Sequence, residues 1–203
     1  MNKLAILGAS GHGKVVADCA EICGWPSIDF FDDAWPALAQ NGHWSVVGNS
    51  QSLLHSLSRY DGVIVAIGNN RIRLDKLRML QCESASIITL IHPGATVSRY
   101  VKLGLGSVVF AGAVINVDTR IAAGAIINTA ASIDHDCVLA DCVHVSPGAR
   151  LAGGVTVGDC SWIGIGSSIR QGVSIGSDVV VGAGAAVVSD ISNGRTVVGV
   201  PAR

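Results

Sequence analysis

Branched aliphatic residues recur at every sixth position through the second half of the chain. The series begins at Val97, ends at Val187 and has no interruption. Such a fixed period indicates a repeat architecture, because a single repeat cannot bury its apolar face alone and must stack on its neighbours. The series is Val97, Leu103, Val109, Ile115, Ile121, Ile127, Ile133, Leu139, Val145, Leu151, Val157, Ile163, Ile169, Ile175, Val181 and Val187.

A second series lies four residues after the first and contains only small residues or valine. Each hexad therefore predicts a short strand with one large and one small inward position, and stacked hexads predict an all-β solenoid. The residue directly after each large aliphatic is often Gly, Asn, Asp or Ala, so we expect the turn conformation there. The small series is Val101, Ser107, Ala113, Thr119, Ala125, Ala131, Cys137, Val143, Ala149, Val155, Ser161, Ser167, Val173, Val179 and Ala185.

Residues 1–93 lack the six-residue period. Short apolar runs there alternate with segments whose apolar residues have helical spacing. This alternation predicts an α/β domain with a Rossmann-like parallel sheet, followed by the repeat domain at 94–203. The predicted strands are 3–7, 27–31, 46–47, 62–67 and 86–91. The predicted helices are 14–23, 51–57 and 71–80.

The composition excludes several classes of protein. The chain is 49% hydrophobic with a formal charge of −1, which is unlike a disordered segment. No run of lysine or arginine gives the electrostatic footprint of a nucleic-acid-binding protein. No apolar stretch reaches the roughly 18 to 20 residues of a membrane span. The N-terminal residues lack a signal-peptide pattern, and the six cysteines form no paired framework, so we expect reduced thiols and a cytoplasmic location.

A glycine-rich loop follows the first predicted strand. Gly8, Gly11 and Gly13 are spaced G-x-x-G-x-G, which differs from the dinucleotide fingerprint and favours a mononucleotide site. Backbone N–H groups at a helix N-terminus can bind a phosphate there. The second and fourth strands end in Asp32-Asp33 and in residues 68–70, at the same edge of the predicted sheet. The alternative is an ordinary turn before a solvated helix.

The stretch 132–137 contains the candidate general base. Because the register directs Ile133 and Cys137 inward, His135 and its acidic neighbours lie at a turn or on the outer surface. A carboxylate beside an imidazole orients the ring and raises its basicity. Asp134 and Asp136 are both possible partners, and the period does not choose between them. The six histidines form no metal-ligand cluster, and no Cys or Ser is placed as an evident nucleophile, so we expect neither a metal nor an acyl-enzyme.

Seven segments in order resemble a known family across nearly the whole chain. They are GASGHGK, FFDD, AIGNNRIR, LIHPGATVS, INTAASIDHDC, HVSPGA and GVPAR. The chain resembles the bacterial nucleotide-4-amino-sugar N-acetyltransferases and their relatives that O-acetylate sialic acids, which are hexapeptide-repeat acyltransferases. The resemblance implies a left-handed parallel β-helix, acetyl-CoA as co-substrate, a nucleotide-sugar-binding first domain and a homotrimer.

The resemblance also assigns roles to individual residues. His135 matches the catalytic base, and Asp136 matches the acidic residue that follows it, which is Glu in some members. Asn128 matches a residue that positions the acceptor amine. The residues that match acetyl-CoA contacts are His144, Ile165 and Ala183. Those that match nucleotide-sugar contacts are Ser10, Gly11, His12, Asp32, Asp33 and Gly68.

The expected reaction is transfer of an acetyl group from acetyl-CoA to the C4 amine of a UDP-linked amino-dideoxy sugar, in glycan assembly. His135 would act as general base in a direct attack. One alternative is O-acetylation of sialic acid by the same base. Two others are a nucleotide-sugar-binding protein without catalysis and a mononucleotide-binding oxidoreductase, although an oxidoreductase would need neither His135 nor the hexads.

Overall fold

The computed structural model describes residues 2–203, which divide into two compact units. The first unit ends at Leu90 and the second begins at Ile91. None of the helices within residues 2–203 has the length and apolar content needed to cross a membrane.

The first unit alternates strands with helices around one sheet. Its strands are β1 (Lys3–Leu7), β2 (Ser27–Phe31), β3 (Gln40–Asn41), β4 (Trp44–Gly48) and β5 (Gly62–Val65). Its helices are α1 (Gly11–Ile22), α2 (Ser50–His55) and α3 (Asn70–Cys82), with a 3-10 turn at Leu57–Arg59. The strand order is β3-β4-β2-β1-β5, and β1, β2, β4 and β5 run parallel. The carboxyl ends of the parallel strands therefore lie along one edge, where ligands bind in sheets of this kind.

Two details of this sheet differ from the sequence-based expectation. The predicted strand at 86–91 does not form as one strand: Ile87 makes an isolated bridge to Val63, and Leu90–Ile91, at the boundary of the two units, is an end strand of a different, seven-stranded sheet. Strand β3 was not predicted, and it pairs antiparallel with β4. Its two residues, Gln40 and Asn41, are polar and carry no apolar alternation, so the sequence has no signal for it.

The second unit is a parallel β-helix with three faces, built from two-residue strands. Face I contains Thr96–Val97, Val114–Ile115, Ser132–Ile133, Arg150–Leu151, Ser168–Ile169 and Ala186–Val187. Face II contains Lys102–Leu103, Arg120–Ile121, Val138–Leu139, Thr156–Val157 and Ser174–Ile175. Face III contains Leu90–Ile91, Val108–Val109, Ile126–Ile127, His144–Val145, Trp162–Ile163, Val180–Val181 and Thr196–Val197. Strand partners are 18 residues apart, as in the pairing of Ile115 with Ile133, so three hexads make one coil.

The predicted inward register is confirmed. From Val109 to Val187, every member of the large series is buried, and every member of the small series from Ser107 to Ala185 is buried as well. Together they form one continuous core along the axis. Only at the first coil are Val97, Val101 and Leu103 partly exposed. The expected fold class is likewise confirmed: an α/β unit is followed in the chain by the parallel β-helix that the hexads predict, left-handed as the family resemblance implies.

The expected position of the turn conformation was wrong by two residues. The left-handed backbone occurs at the third residue after the large aliphatic, as at Asp118, Asp136 and Gly154, and not at the first. Glycine at the first position meets a different requirement. A Cβ at Gly104 would collide with the backbone of Ala122, one coil further on, so this glycine permits close stacking.

A charge placed in the core should unfold the second unit. We expect Ile133→Asp to lower the free energy of unfolding by about 4 kcal/mol or more, because it buries an unpaired carboxylate between the apolar side chains of the adjacent coils. Leu105→Asp is the matched control, since Leu105 is 42% exposed, and its melting temperature should stay close to wild type. Thermal melts followed by circular dichroism measure both. Equal stability of the two variants would contradict the register.

Candidate active site

His135 lies in the turn that joins face I to face II. Ile133 before it and Cys137 after it are fully buried, so the turn between them is forced outward and the imidazole is exposed. Asp136 adopts the left-handed conformation, with a φ of 59°, that reverses the chain at this edge. The hexad register therefore presents the His135 side chain to solvent on a rigid edge.

The two carboxylates beside His135 have different contacts. Asp136 Oδ2 lies 2.7 Å from His135 Nδ1. Asp134 Oδ1 instead accepts hydrogen bonds from the His135 backbone N–H (2.9 Å) and from Asn116 Nδ2 (2.8 Å). The Asp134 carbonyl also accepts from the Thr119 hydroxyl at 2.8 Å. Asp136 is thus the carboxylate that contacts the ring, whereas Asp134 fixes the backbone of the turn.

The surroundings of His135 make it a stronger base than an isolated histidine. Its pKa is raised, first by the hydrogen bond to Asp136 and then by the charge of Asp134, against a small opposing effect of desolvation. A carboxylate can only accept, so the contact at Nδ1 places the proton of the neutral ring on that nitrogen. The lone pair is then on Nε2, the atom that can take a proton from a substrate.

A second cluster of predicted residues lines a groove along face III and its edge with face I. The groove has a volume of about 490 Å³. The His144 ring lies against Trp162, with 4.7 Å between ring centroids, and Trp162 Nε1 donates to Ser146 Oγ at 2.7 Å. The groove is largely apolar. Its lining residues are His144, Ser146, Pro147, Trp162, Gly164, Ile165, Val180, Val181, Gly182 and Ala183.

Asn128 lies with this groove cluster. Its Nδ2 is 3.1 Å from His144 Nε2, and its Oδ1 accepts from the Thr129 backbone N–H at 2.9 Å. Because the amide oxygen is engaged by the backbone, Nδ2 is the atom that faces His144. An amide nitrogen only donates, so His144 Nε2 accepts this hydrogen bond.

The His135 turn and the groove lie on opposite sides of the β-helix. His135 stands at the edge between faces I and II, whereas His144 is a strand residue of face III. In a three-faced prism, the edge between two faces is opposite the third face. One chain therefore does not present both histidines to a common cleft.

The predicted residues of the first unit do come together at one edge of its sheet. Ser10 precedes α1 as its N-cap residue, and Gly11 and His12 begin the helix. Asp32 Oδ2 accepts from the Ala9 backbone N–H at 2.8 Å, which ties the end of β2 to the glycine loop. Arg73 Nη1 donates to the Gly68 carbonyl at 3.2 Å and thereby holds the loop after β5.

Two titratable groups at this edge have shifted pKa values. Burial, and next the charge of Arg73, lower the pKa of His12 to about 4, so this ring is neutral at pH 7. Desolvation would raise the pKa of Asp33, but hydrogen bonds from Lys76 and Ser50 outweigh it and lower that pKa to about 2. Asp33 Oδ2 lies 2.7 Å from Lys76 Nζ, so this carboxylate already has a cationic partner.

Two neighbours of the site, Asn116 and Trp162, were not identified as such from the sequence, although a simple rule finds them. Residues that stack on one another differ by 18 in number, as the strand pairing shows. Asn116 stands 18 residues before Asp134, and Trp162 stands 18 residues after His144. The residues 18 positions before and after each candidate therefore include both of these neighbours. Among residues 2–203, no cluster of three or more His, Cys, Asp or Glu side chains could hold a metal ion.

Both units of the chain resemble known proteins. A family model described as the PglD N-terminal domain matches residues 3–80. A curated UDP-N-acetylbacillosamine N-acetyltransferase from Bacillus subtilis (strain 168) is 36% identical over 114 residues, which are 55% of this chain and 52% of the relative. The match thus spans about half the length of that curated relative.

Two solved structures match over the whole chain. The acetyltransferase domain of PglB from Neisseria gonorrhoeae FA1090, in complex with acetyl coenzyme A, is 45% identical with a TM-score of 0.95, and the match covers 100% of this chain and 99% of that one. PerB from Caulobacter crescentus, in complex with CoA and GDP-perosamine, is 38% identical with a TM-score of 0.95, covering 100% and 97%.

The hexads and the three-faced coil define the class to which this chain belongs, the hexapeptide-repeat acyltransferases. The whole-chain match at 45% identity defines the family more narrowly. The chain belongs to the nucleotide-amino-sugar N-acetyltransferases, an acetyl-CoA-dependent enzyme family.

The two carboxylates should affect the His135 pKa unequally. We expect Asp136→Asn to lower the pKa of His135 more than Asp134→Asn does, because only Asp136 contacts the ring. Asparagine tolerates the left-handed backbone at position 136, so the turn should persist. NMR titration of the His135 ring without substrate measures the change. A larger effect from Asp134→Asn would contradict the assignment of Asp136 as the ring's partner.

Proposed function

We propose that this protein transfers the acetyl group of acetyl-CoA to the C4 amine of a UDP-linked 4-amino-dideoxy sugar, with His135 as general base. The observation that carries the proposal is the exposed imidazole whose Nδ1 contacts Asp136 and whose Nε2 is the basic nitrogen. The UDP-linked acceptor is supported by the activity named for the Bacillus subtilis relative.

The chemistry follows from this geometry. The sugar amine attacks the thioester carbonyl carbon, a C–N bond forms, and the proton of the amine passes to His135 Nε2. The C–S bond then breaks, and the imidazolium gives this proton to the leaving thiolate, so the products are the acetylated amine and CoA with a free thiol. Asp136 stabilises the imidazolium while it exists. General base catalysis of this kind typically contributes about 10² to 10⁴ in rate.

The groove on face III is the proposed site for the pantetheine arm of CoA. A thin, largely apolar chain fits a groove with this lining, in which Ile165 and Ala183 mark the edge with face I. His144, held by Asn128 and Trp162, is placed to contact the arm or the thioester. The acetyl coenzyme A bound to the Neisseria gonorrhoeae domain supports this co-substrate.

The carboxyl edge of the first unit's sheet is the proposed site for the nucleotide. The N-terminus of α1 offers the backbone N–H groups of Gly11 and His12 to a phosphate. His12 would contribute a neutral hydrogen-bonding group, because its pKa is about 4. Asp32, Asp33 and Gly68 would position the ribose or the base from the ends of β2 and β5.

We also propose that the active enzyme is a homotrimer whose sites lie between copies. A base at one edge of the prism and a CoA groove on the opposite face cannot act on the same substrate within one chain. When the chains associate around a three-fold axis, the His135 edge of one copy can face the groove of the next. Asn128 and His144 would then act beside a neighbour's His135.

The acceptor can be identified by following CoA release with a panel of substrates. The panel contains UDP-, dTDP- and GDP-linked 4-amino sugars, CMP-sialic acid and free sialic acid. We expect the UDP-linked 4-amino sugar to give the highest kcat/KM and His135→Ala to lower kcat by at least about 100-fold with an intact fold. Release only with sialic acids would favour O-acetylation instead. Absence of release with every acceptor would contradict the enzymatic proposal.

Mixed trimers test whether the site is shared. His135→Ala removes the base, and Ala183→Trp fills the groove, so each variant alone should be inactive. Coexpression of differently tagged chains should restore about a quarter of the wild-type sites, because each site takes its base from one copy and its groove from another. Each variant is also coexpressed with itself as the control. Mixed trimers without activity would show that one chain holds a complete site.

A further inference from the structure

Gly153 lies one coil beyond His135 at the same edge of the β-helix. The two residues occupy the same hexad position, the second after the large inward aliphatic. Of the sixteen residues at this position, only Gly153 is a glycine. The others are Arg99, Leu105, Ala111, Val117, Ala123, Thr129, His135, Asp141, Pro147, Asp159, Ile165, Gln171, Ser177, Ala183 and Ser189.

The backbone at position 153 does not require glycine. The left-handed conformation of this turn belongs to the next residue, Gly154, whose φ is +69°, and Gly153 is not among the residues with positive φ. Alanine already occupies the same hexad position at Ala111, Ala123 and Ala183. The repeat therefore tolerates a side chain at this position, and the reason for glycine at 153 must be local.

The local reason is the imidazole of His135. A Cβ on Gly153 would lie 2.5 Å from Cε1, 2.6 Å from Nε2 and 3.1 Å from Nδ1 of that ring. The backbone cannot withdraw, because the Gly154 N–H donates to the His135 carbonyl at 2.9 Å and the Gly172 N–H donates to the Gly153 carbonyl at 3.0 Å. The ring, at the end of a rotatable side chain, is the group that has to move.

We propose that Gly153 is a positioning residue. Because it has no side chain, it leaves the space in which the His135 ring lies while Nδ1 contacts Asp136. Without that space, the ring swings outward and the 2.7 Å contact lengthens. The base is then misaligned for the amine and loses its partner. The kinetic consequence rests on the proposed function, whereas the position of the ring does not.

The test compares Gly153→Ala and Gly153→Val with Gln171→Ala. Gln171 is exposed and lies one coil further along the same edge, which makes it the matched control. The melting temperature, the His135 pKa measured by NMR without substrate, and kcat and KM are determined for each variant. The measurement without substrate reports the ring even if the acceptor has not been identified.

We expect Gly153→Ala to keep the wild-type melting temperature, because the ring is the rotatable end of an exposed side chain and can turn away from the added methyl group. The pKa of His135 should fall towards its ordinary value as Asp136 loses contact, and kcat should fall by about 10- to 100-fold, with the KM for acetyl-CoA changed by less than about twofold. Gly153→Val should show a larger effect on both pKa and kcat, and Gln171→Ala should show neither.

Three outcomes would overturn the proposal. A wild-type His135 pKa combined with a raised KM would show that glycine leaves room for substrate and not for the ring. Wild-type values for pKa and kcat would show that position 153 has no role in positioning. Unfolding of Gly153→Ala would show that the backbone itself needs glycine. If no variant, including wild type, turns over any acceptor, the proposed function fails, and the pKa measurement still decides the role of Gly153.

Discussion

The constraint on which the site depends is the stacking of parallel coils with an 18-residue step. Parallel pairing leaves each residue directly beside its equivalents in the adjacent coils, so contacts form between columns of equivalent positions. Inward columns are aliphatic and drive the stacking. Outward columns need not be apolar, and the candidate site is built from pairs within them: Asn116 with Asp134, His135 over Gly153, and His144 against Trp162.

This constraint also explains how a short turn between two-residue strands can hold the His135 imidazole in a defined place. The backbone of the turn that carries His135 is hydrogen-bonded to the coils on both sides. The Asp136 N–H donates to the Val117 carbonyl of the preceding coil, and the Gly154 N–H of the following coil donates to the His135 carbonyl. Little conformational freedom is left except rotation of the side chain, which Asp136 on one side and Gly153 on the other restrict. Preorganisation of this kind is what a general base requires.

The sequence predicted the repeat domain almost completely, because every inward position obeys one period over fifteen steps. It could not decide between Asp134 and Asp136, since both are outward and only the turn geometry separates them. The turn position was misassigned because glycine serves two purposes in a hexad, close stacking as at Gly104 and left-handed backbone as at Gly154. The first unit, which has no repeat, was predicted less well at 86–91. The roles of the site residues came from family resemblance and not from the period.

The basicity of His135 depends on how much water surrounds it. In a single chain the ring is exposed, so its raised pKa reflects Asp136 and Asp134, with little opposition from desolvation. Covering this edge with a substrate or with a second copy removes water, which favours the neutral ring and lowers the pKa. The same removal of water strengthens the attraction to Asp136, which raises it. The two carboxylates therefore keep the imidazole a strong base in an environment that would otherwise weaken it, and an edge histidine without them would lose basicity as the site closes.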